Sequence, residues 1–489
     1  MALEVTSELP PALLDSLKQT FGFDQFRTGQ QPVVKTILRG ESAAAIFPTG
    51  SGKSLCYQFP ATQLPHLTLV ISPLLALMQD QLAFLAEKGI PAASIDSTQS
   101  REDTVKIMNG VRAGQIKILM VSVERLNNER FRHFMSQLPI SLLVVDEAHC
   151  ISEWGHNFRP DYLKLPQYRQ TFNINQTLLL TATATPQVIK DMGQKFGINS
   201  DDVILTGFYR PNLNLAVQGV KTDDKIDCLS QWLTARSQQA GIVYVTLQQT
   251  AEQVAEQLRQ RNIPAQAYHA GMDSERRQAI QQQFMAGKLG IIVATIAFGM
   301  GIDKSDIRFV AHYDLPKSIE NYAQEIGRAG RDGQPSDCLV LANGDNLNTL
   351  ENFVYGDTPE LSAIHYILND ILQSVTQDAH QWEVVLNSLS NQSNIRPLSL
   401  KTLLVYLEIF DIIKPVYSYF AEYKYKLLQP QEEVVSRFKG ERQAFVKAIF
   451  ESSDKARTWA TVNFDQLNNQ YPSERSRAIT ALGYLDEQG

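Results

Sequence analysis

The sequence predicts an α/β protein with two tandem parallel-sheet domains, followed by a mainly helical region. Over the first two-thirds of the chain, short β-branched runs alternate with longer helical patterns, which favours an α/β architecture. The runs are nearly continuous in apolar residues, as strands of a parallel sheet covered on both faces should be. They are Leu67–Ser72, Ile116–Ser122, Ser141–Val145, Thr177–Thr181, Gly241–Thr246 and Gly290–Ala294.

Two changes of pattern divide the chain into domains. The segment Gly207–Asp224 lacks helical periodicity, carries Pro211 and falls between two complete α/β sets, so we interpret it as a link. The second change lies near Ala342–Asp345, after which the pattern turns helical. The predicted helices are Glu360–Val375, Gln381–Leu389, Leu398–Phe410 and Glu432–Phe450. The predicted domains are therefore residues 1–206, 207–345 and 346–489.

Composition limits the class of protein. With 489 residues, 44% hydrophobic and 20% charged, the chain can bury several cores. The net charge of −7 argues against a surface covered with nucleic-acid-binding charge, but it allows a local basic groove. The first ten residues have no basic and no apolar stretch, so we expect no signal peptide. No apolar run approaches the roughly 20 residues of a membrane span. We therefore expect a cytoplasmic protein without membrane contact.

A glycine-rich turn follows the short apolar strand that ends at Phe47. Gly50 and Gly52 allow the backbone to approach a phosphate, Lys53 can reach the β- and γ-phosphates, and Ser54 can bind Mg²⁺. The strict motif has glycine where this chain has Phe47, and a plain strand-to-helix turn is the alternative interpretation. The predicted ATP contacts of this loop are Thr49, Gly50, Ser51, Gly52, Lys53 and Ser54.

Two carboxylates follow the apolar strand Ser141–Val145. Asp146 at the strand tip can hold Mg²⁺, and Glu147 can polarise the attacking water as a general base. His149 lies too close to serve as a second base, and we expect it to couple this site to a nucleic acid. The phosphate loop and the acidic pair together predict ATP hydrolysis.

A distant segment, Tyr322–Gly333, supplies two arginines and completes the predicted catalytic set. Arg328 and Arg331 are three residues apart and would share one face if the segment were helical. A solvated charge pair is the alternative. Across a domain cleft they would instead stabilise charge on the γ-phosphate. We assign them to the catalytic set together with the nearby Gln324.

These motifs resemble those of the DEAH-type superfamily 2 helicases and, most specifically, the RecQ family, over roughly residues 10–340. The most specific part is the aromatic-rich segment Cys150–Pro160, which in this family senses single-stranded DNA and couples it to hydrolysis. Stacking of bases on exposed aromatic side chains is the physical basis, and burial of Trp154 and Phe158 in a core is the alternative. The resemblance assigns Ser152, Trp154, His156, Phe158 and Arg159 to this coupling.

Further segments match the family in order and spacing. In the segment Phe21–Gln30, which could otherwise be a surface helix start, the resemblance implies that Phe23 and Arg27 stack on adenine and that Gln30 hydrogen-bonds its edge. Ser72 and Gln81 would contact DNA, Thr181 and Thr183 would link hydrolysis to unwinding, and Asp303 would face the nucleotide. The implied fold is a pair of RecA-like domains.

The C-terminal third departs from the family. RecQ helicases usually carry a four-cysteine zinc subdomain there, whereas the four cysteines of this chain, which we expect to be reduced and mostly buried, end at Cys338. We therefore expect no zinc site, and we interpret His365 and His380 as ordinary helix residues. The closing helical pattern, with no strand after it, suggests an unfinished unit, and we identify no further nucleic-acid-binding domain.

The region after residue 345 has the pattern of a winged helix. The segment Val416–Leu427 reads as paired strands, because tyrosines and lysines alternate with period two. The tyrosines either pack on the helices or belong to a wing in which Lys424 and Lys426 grip duplex DNA.

The resemblance implies an ATP- and Mg²⁺-dependent helicase that moves 3′ to 5′ on single-stranded DNA and unwinds duplex or branched DNA in recombination and repair. Its partners would be DNA, with single-stranded-DNA-binding and recombination proteins as further candidates, and in a bacterium it would be nucleoid-associated. Two alternatives stay open, namely an ATP- and DNA-binding regulatory protein that does not unwind, and an RNA helicase.

Overall fold

The computed structural model describes most of the chain and divides it into two compact units. The first unit comprises the chain up to residue 368 together with residues 393–413, and the second comprises residues 369–392 and 414–489. The described residues are 9–73, 75–96, 99–152, 159–207, 209–296, 298, 304–344, 347, 351, 358–376, 382–415, 423–455, 459–472, 477–478, 481–482 and 484–485.

The first unit begins with a seven-stranded parallel sheet in the order β3-β4-β2-β5-β6-β1-β7. Its strands are β1 Ala43–Ile46, β2 Leu67–Ile71, β3 Ala92–Ile95, β4 Ile118–Val121, β5 Ile140–Val145, β6 Thr177–Thr181 and β7 Val203–Leu205. The accompanying helices are α1 Pro11–Phe21, α2 Gln30–Leu38, α3 Leu55–Gln63, α4 Leu75–Glu87, α5 Arg101–Arg112, α6 Glu129–Ser136, α7 Leu165–Thr171 and α8 Pro186–Phe196. Short 3-10 helices span Val123–Asn127, Ala148–Ile151, Pro160–Lys164 and Ser200–Asp202.

Both faces of this sheet are buried, which explains why its strands are apolar at every position. Along β5, Leu142 and Val144 pack into the core on one face, and Leu143 and Val145 pack into the core on the other. The predicted strands of this sheet are confirmed, with ends shifted by one or two residues. Because the strands are parallel, the segments that leave them at their carboxyl ends share one edge of the sheet.

A second parallel sheet, with six strands in the order β10-β11-β9-β12-β13-β8, completes most of the first unit. Its strands are β8 Leu213–Gly219, β9 Gly241–Tyr244, β10 Ala265–Tyr268, β11 Ile291–Ala294, β12 Phe309–His312 and β13 Ser336–Ala342. Its helices are α9 Lys225–Thr234, α10 Gln248–Gln260, α11 Ser274–Met285 and α12 Ile319–Ile326. The two strands predicted here from the apolar runs are confirmed.

The predicted link Gly207–Asp224 is partly wrong, because it contains an edge strand of the second sheet. Strand β8 pairs in parallel with β13 over its whole length, from Leu213 opposite Ser336 to Gly219 opposite Ala342. Leu213, Leu215 and Val217 alternate with polar or small residues, and Leu215 and Val217 are exposed. A strand exposed at a sheet edge has no continuous apolar run, so the signal used for the central strands does not find it.

Helix α15, Pro397–Ile409, belongs to the first unit although it follows both sheets in sequence. Its Glu408 pairs with the buried Lys164 on the 3-10 helix Pro160–Lys164, and Asp161 lies 4.0 Å from the same ammonium. The helix is therefore tied by charge to the segment that follows the aromatic-rich region of the sequence.

The second unit contains helices and a three-stranded antiparallel sheet in the order β14-β16-β15. The strands are β14 Lys424–Tyr425, β15 Ser453–Lys455 and β16 Ala460–Val462. The helices that follow α12 along the chain are α13 Leu361–Thr376, α14 Leu386–Ser393, α15 already given, α16 Gln431–Ser436, α17 Glu441–Glu451 and α18 Phe464–Gln470. The mainly helical character of the C-terminal region is thus confirmed, whereas the winged-helix assignment stays a prediction.

Two local predictions for the C-terminal region are corrected. The helix predicted at Gln381–Leu389 begins only at Leu386, and the long helix Glu432–Phe450 is two helices separated near Gly440, whose φ of +59° breaks the helical geometry. Strand β14 pairs with β16. Residues 416–422 lie outside the described part of the chain, so the paired strands expected over Val416–Leu427 stay a prediction.

Two of the predicted tyrosines are half-buried and pack against the core of the second unit. The Tyr423 ring meets Phe464 at 5.9 Å, and the Tyr425 ring meets Phe450 at 5.3 Å. Lys424 and Lys426 are exposed, so the predicted alternation holds at these positions. Tyr417 and Tyr419 lie outside the described residues.

Other chain-wide expectations can be compared with the described residues. All four cysteines are free thiols, and Cys56, Cys150 and Cys338 are buried, as predicted. No helix in the described part of the chain is both long and apolar enough to cross a bilayer.

A buried ion pair ties the carboxyl ends of β9 and β12 to helix α9. Asp314 accepts hydrogen bonds from Lys225 Nζ at 3.1 Å and from the Thr246 amide at 2.9 Å, and neither charged side chain reaches solvent. Lys225→Met leaves a buried carboxylate without its cation and should destabilise this sheet by about 3 kcal/mol. Amide hydrogen exchange in β9 and β12 should then accelerate about a hundredfold.

The matched control for this prediction is Lys288→Met, which removes an exposed lysine of the same sheet domain. Hydrogen exchange followed by mass spectrometry compares the two variants strand by strand. Equal protection of β9 and β12 in both variants would show that the pair does not stabilise the sheet.

Candidate functional site

The predicted nucleotide residues assemble at one edge of the first sheet. Strand β1 ends at Ile46, opposite Thr181 of β6, and β2 ends at Ile71, opposite Val145 of β5. The loop after β1 and the carboxylates after β5 are therefore neighbours, although they are distant in sequence. Such an edge is where open α/β sheets bind ligands.

The glycine-rich loop has the backbone conformation that its sequence predicts. Gly50 and Gly52 have φ of +82° and +78°, which residues with side chains rarely adopt. Helix α3 begins directly after Ser54, so the loop leads into a helix N-terminus that favours phosphate. Lys53 Nζ donates a hydrogen bond to the Phe47 carbonyl at 3.1 Å, which holds the ammonium under the loop.

Gln30 braces this loop through its side-chain amide. Its Nε2 donates to the carbonyls of Ser51 at 3.2 Å and Gly52 at 2.9 Å, and its Oε1 accepts from the Arg27 amide at 2.8 Å. Arg27 Nη1 also donates to the Gly50 carbonyl at 3.1 Å. Both amide atoms of Gln30 are thus occupied by protein groups, so its predicted contact with adenine is not prepared in this structure.

The aromatic ring of Phe23 is more exposed than Gln30. Phe23 is 41% exposed, so its face is open for stacking, whereas Gln30 is buried. Stacking of adenine between Phe23 and Arg27 stays a prediction.

The acidic pair is held in a strained turn. Glu147 has a φ of +49°, a conformation that a non-glycine residue adopts rarely and mostly at functional sites. The amide of Asp146 donates to Ile71 O at 2.9 Å, and the amide of Glu147 donates to Asp146 Oδ1 at 3.0 Å. The buried Tyr162 hydroxyl donates to the Asp146 carbonyl at 3.3 Å. The turn is therefore fixed from several sides.

Ser72 belongs to this site and not to the predicted DNA surface. The side chain is buried, and its hydroxyl donates to Asp146 Oδ2 at 3.3 Å. The strand register explains this position, because Ser72 leaves β2 beside the end of β5. A buried hydroxyl that bonds a carboxylate orients that carboxylate and has no access to a nucleic acid.

The charged groups of the site are crowded and largely withdrawn from water. Burial and the adjacent Glu147 raise the pKa of Asp146, whereas Lys53 lowers it. Burial lowers the pKa of Lys53 against the opposing effect of both carboxylates. Within the described residues, Glu147 Oε2 is buried and takes part in no hydrogen bond. Two crowded carboxylates beside a serine hydroxyl suit an oxygen-ligated Mg²⁺, so the residues present fit this cation.

His149 connects the acidic turn to the Thr181–Thr183 segment. His149 Nδ1 and Thr181 Oγ1 are 2.8 Å apart, and the Thr181 hydroxyl donates to the Thr183 carbonyl at 3.0 Å. The hydrogen-bond pattern assigns the proton to Nδ1. Burial lowers the pKa of His149 to about 3, so the ring is neutral at physiological pH. The predicted coupling role of these three residues has a physical path, although its function stays a prediction.

The arginine segment comes from the second sheet and faces the loop of the first. Helix α12 ends at Ile326, so Arg328 and Arg331 lie on a turn and not on one helical face as the spacing suggested. A Cβ at Gly50 would lie 3.3 Å from Cγ of Arg331, so this side chain covers the phosphate loop.

Arg328 occupies a different environment from Arg331. Its side chain is buried and interacts with the Tyr244 hydroxyl. Burial raises the pKa of Tyr244 to about 12, and the Arg328 guanidinium opposes this change. The structure therefore distinguishes the two arginines and places Arg331 nearer the predicted phosphate. Gln324 is buried on α12, just before the turn.

Sequence reasoning missed Arg210 and Asn212. Both lie between β7 and β8, and both donate hydrogen bonds to backbone carbonyls of the arginine turn, including the Gly330 carbonyl at 2.7 and 2.8 Å. Neither belongs to a run or a spacing that predicts a site. The only available signal was an arginine beside Pro211 in a segment that had been interpreted as a link.

The other predicted site residues differ in burial, and some of them lie outside the described residues. Gln81 accepts a hydrogen bond from Gln58 at 2.6 Å, and the Arg159 amide donates to the Cys150 carbonyl at 3.2 Å. Ser152 is fully buried and donates to Asp191 Oδ2 at 2.7 Å, so direct contact with DNA is excluded for this hydroxyl in this structure. Trp154, His156, Phe158 and Asp303 lie outside the described residues.

Comparison with known families identifies both sheets. Residues 27–192 match the DEAD/DEAH box helicase family, and residues 224–333 match the helicase conserved C-terminal domain. Among solved structures, the helicase MrfA bound to DNA superimposes with a TM-score of 0.58 at 17% identity, over 71% of this chain and 54% of that chain. At this identity the likeness shows the fold alone, a pair of RecA-like domains.

Relatives found by sequence identify the family more specifically than the fold does. The chain is 41% identical to the ATP-dependent DNA helicase RecQ of Haemophilus influenzae over 68% of this chain and 53% of that protein. It is 38% identical to the probable ATP-dependent DNA helicase RecS of Bacillus subtilis over 76% of this chain and 75% of that protein. The chain spans about half the length of the RecQ proteins that it matches.

The hydrogen bonds of the Gln30 side chain predict how nucleotide binding changes when this side chain is removed. Gln30→Ala removes three hydrogen bonds around the phosphate loop, each contributing about 1 kcal/mol. We expect the Kd of a fluorescent ATP analogue to rise at least about tenfold, and the Kd of the matching GTP analogue to rise by the same factor.

The comparison of the two bases separates bracing from base recognition. A weaker affinity for ATP alone would mean that Gln30 reads the adenine edge and would contradict the brace. The neighbouring Gln31→Ala serves as the control and should leave both affinities unchanged.

Proposed function

The chain belongs to the RecQ family of superfamily 2 helicases, and from this membership we propose that it is an ATP-driven motor that moves 3′ to 5′ on single-stranded DNA and unwinds duplex or branched DNA. The observation that carries the proposal is the cleft between the two sheets. Lys53, Asp146 and Glu147 from the first sheet meet Arg331 from the second across the phosphate loop. Because the site is divided between the two sheet domains, closure of the cleft between them would depend on whether a nucleotide is bound.

Each residue of the cleft has a proposed part in hydrolysis. Lys53 binds the β- and γ-phosphates, and the loop amides cradle them. Glu147 holds the attacking water and accepts its proton, for which its strained and fixed backbone orients the carboxylate. Arg331 stabilises the charge that spreads over the transferred phosphoryl group. Gln324 and Arg328 support the same arrangement from the second sheet.

Mg²⁺ is the proposed metal of this site. Ser54 and Asp146 would hold it, and Ser72 keeps the Asp146 carboxylate in place. When bound, the cation neutralises phosphate charge and relieves the repulsion between Asp146 and Glu147. No zinc is proposed.

DNA is the proposed track, and the path from DNA to the ATP site runs through the acidic turn. Trp154, Phe158 and Arg159 would stack on bases or hold the backbone, and His149 with Thr181 would transmit their position to Glu147. Because phosphate contacts release counterions, affinity for DNA should fall as salt rises. His156, Thr183 and Gln81 complete the proposed set.

The remaining assignments concern the whole protein. We propose the domain boundaries 1–206, 207–345 and 346–489, and a duplex-binding role for Lys424 and Lys426 in the last of these. Action in recombination and repair, together with single-stranded-DNA-binding and recombination proteins, fits the RecQ relatives. For a bacterial protein of this kind, the proposed location is the cytoplasm, at the nucleoid.

Strand displacement on tailed duplexes tests the proposed function. We expect the protein with MgATP to unwind a DNA duplex that has a 3′ single-stranded tail and to leave a 5′-tailed duplex intact. Lys53→Ala should abolish both hydrolysis and unwinding because the phosphates lose their cation, while circular dichroism shows an unchanged fold. The proposed direction of movement is thereby tested with the same preparation.

The controls distinguish the alternatives. Displacement of RNA duplexes of matched sequence would indicate an RNA helicase. ATP and DNA binding without displacement of any duplex would indicate a regulatory protein. Normal ATP turnover by Lys53→Ala would remove the assigned site altogether.

The position of Arg331 predicts its effect on catalysis. Arg331→Ala should lower kcat for ATP hydrolysis roughly 10³-fold with little change in KM, because the guanidinium stabilises charge that develops in the transition state. Steady-state kinetics with saturating single-stranded DNA provides the measurement. Arg276→Ala, which removes an exposed arginine of the same sheet domain, is the control. A rise in KM at constant kcat would show a ground-state contact instead.

A further inference from the structure

The guanidinium of Arg210 lies between the arginine turn and the phosphate loop. Its Nη2 donates to the carbonyls of Ala329 at 3.1 Å and Gly330 at 2.7 Å. Its Nη1 lies 3.4 Å from the carbonyls of both Gly327 and Thr49. One side chain therefore contacts three carbonyls of the turn on the second sheet and one carbonyl of the loop on the first.

Asn212 extends this contact on the same turn. Its Nδ2 donates to the carbonyls of Gly330 at 2.8 Å and Gln334 at 2.9 Å, and its Oδ1 accepts from Arg210 Nε at 3.3 Å. Its own carbonyl accepts from the Ser336 amide at 2.9 Å. The amide orientation is thus defined by donors and acceptors on both sides. We call Arg210 and Asn212, with the turn carbonyls that they bind, the clasp.

The turn is shaped to receive the clasp. Gly330 has a φ of +57°, and a Cβ at this position would lie 2.4 Å from Asn212 Nδ2 and 2.7 Å from the Gln334 carbonyl. The glycine therefore lets the Asn212 amide approach the backbone directly. Arg331 is the next residue, so the clasp fixes the backbone from which its side chain extends over Gly50.

The planar guanidinium of Arg210 directs both of its terminal nitrogens at backbone carbonyls, as the two prongs of a fork. Within the described residues it has no carboxylate partner, and the groups that it binds are carbonyls arranged around the planar guanidinium. Burial lowers its pKa, as expected for a cation held by neutral groups. A lysine has the charge but not the planar fork, so it cannot reproduce the contacts.

We propose that Arg210 is a positioning residue for ATP hydrolysis, which holds the 327–331 turn so that Arg331 lies over the phosphate loop. The inference rests on the proposed ATPase. Arg210 lies on the segment between β7 and β8, where the chain passes from one sheet to the other, and it contacts both halves of the cleft. Arg210 acts through Arg331 and does not itself contact the phosphate.

Kinetics of the full chain test this inference. Arg210→Lys should lower kcat for ATP about 100-fold, as misplacement of a catalytic group by about 1 Å does, while KM for ATP changes less than about threefold. The matched control is Arg236→Lys, because Arg236 also uses a fork, on Asp337 and the Trp232 carbonyl, neither of which belongs to the 327–331 turn or the phosphate loop. The control should keep the kcat of the unsubstituted protein.

A double variant separates positioning from direct catalysis. If Arg210 acts only through Arg331, then Arg210→Lys combined with Arg331→Ala should be no slower than Arg331→Ala alone. Multiplied losses would mean that Arg210 contacts the substrate itself and would overturn the inference. Unchanged kcat in Arg210→Lys would overturn it as well.

Two further measurements keep the outcome decisive. Thermal unfolding checks that the Arg210→Lys variant is folded. If it is not, the Asn212→Ser variant replaces it, because this substitution weakens the same clasp less. Asn212→Ser should lower kcat about tenfold without raising KM. Unchanged kcat in a folded Asn212→Ser would then reject the inference. Absence of hydrolysis by the unsubstituted protein would reject the proposed function and the inference with it, whereas normal hydrolysis with an unaffected Arg210→Lys would reject the inference alone.

Discussion

The structure of the first unit depends on the crowding of charge in a half-buried cleft. Lys53, Asp146 and Glu147 approach one another at one sheet edge, and Arg331 covers the loop from the other sheet. Charges withdrawn from water are costly unless they are compensated. The strained backbone of Glu147 and the positive-φ glycines of the loop hold these groups close together at the sheet edge.

The sequence predicted those parts of the fold and site that follow from parallel strands. Central strands buried on both faces are apolar throughout, so their positions could be read directly, and the loops that follow them must meet at one edge. The assignment of Gly50, Lys53 and Asp146 to one site came from the chemistry of the two motifs, and the strand register explains why they are neighbours. It also predicted the exposed Lys424 and Lys426 from period-two alternation.

The parts that could not be predicted are those set by tertiary register or by single hydrogen bonds. Ser72 resembles a surface motif in sequence, but the alignment of β2 with β5 directs it to Asp146. Gln30 and Arg210 act on backbone carbonyls, which have no sequence signature at all. The edge strand β8 lacks an apolar run because one of its sides is open. The sequence pattern does not reveal that the helix is broken near Gly440, which becomes evident only from the positive φ of this residue.

The ion pair between Lys164 and Glu408 has a consequence for where the chain can be shortened without disturbing the first unit. The sequence places the end of the second sheet domain near residue 345, which suggests a cut there. Such a cut would remove helix α15 and leave the buried Lys164 with Asp161 alone, at 4.0 Å. The first compact unit is therefore discontinuous in sequence, and it extends through residue 413.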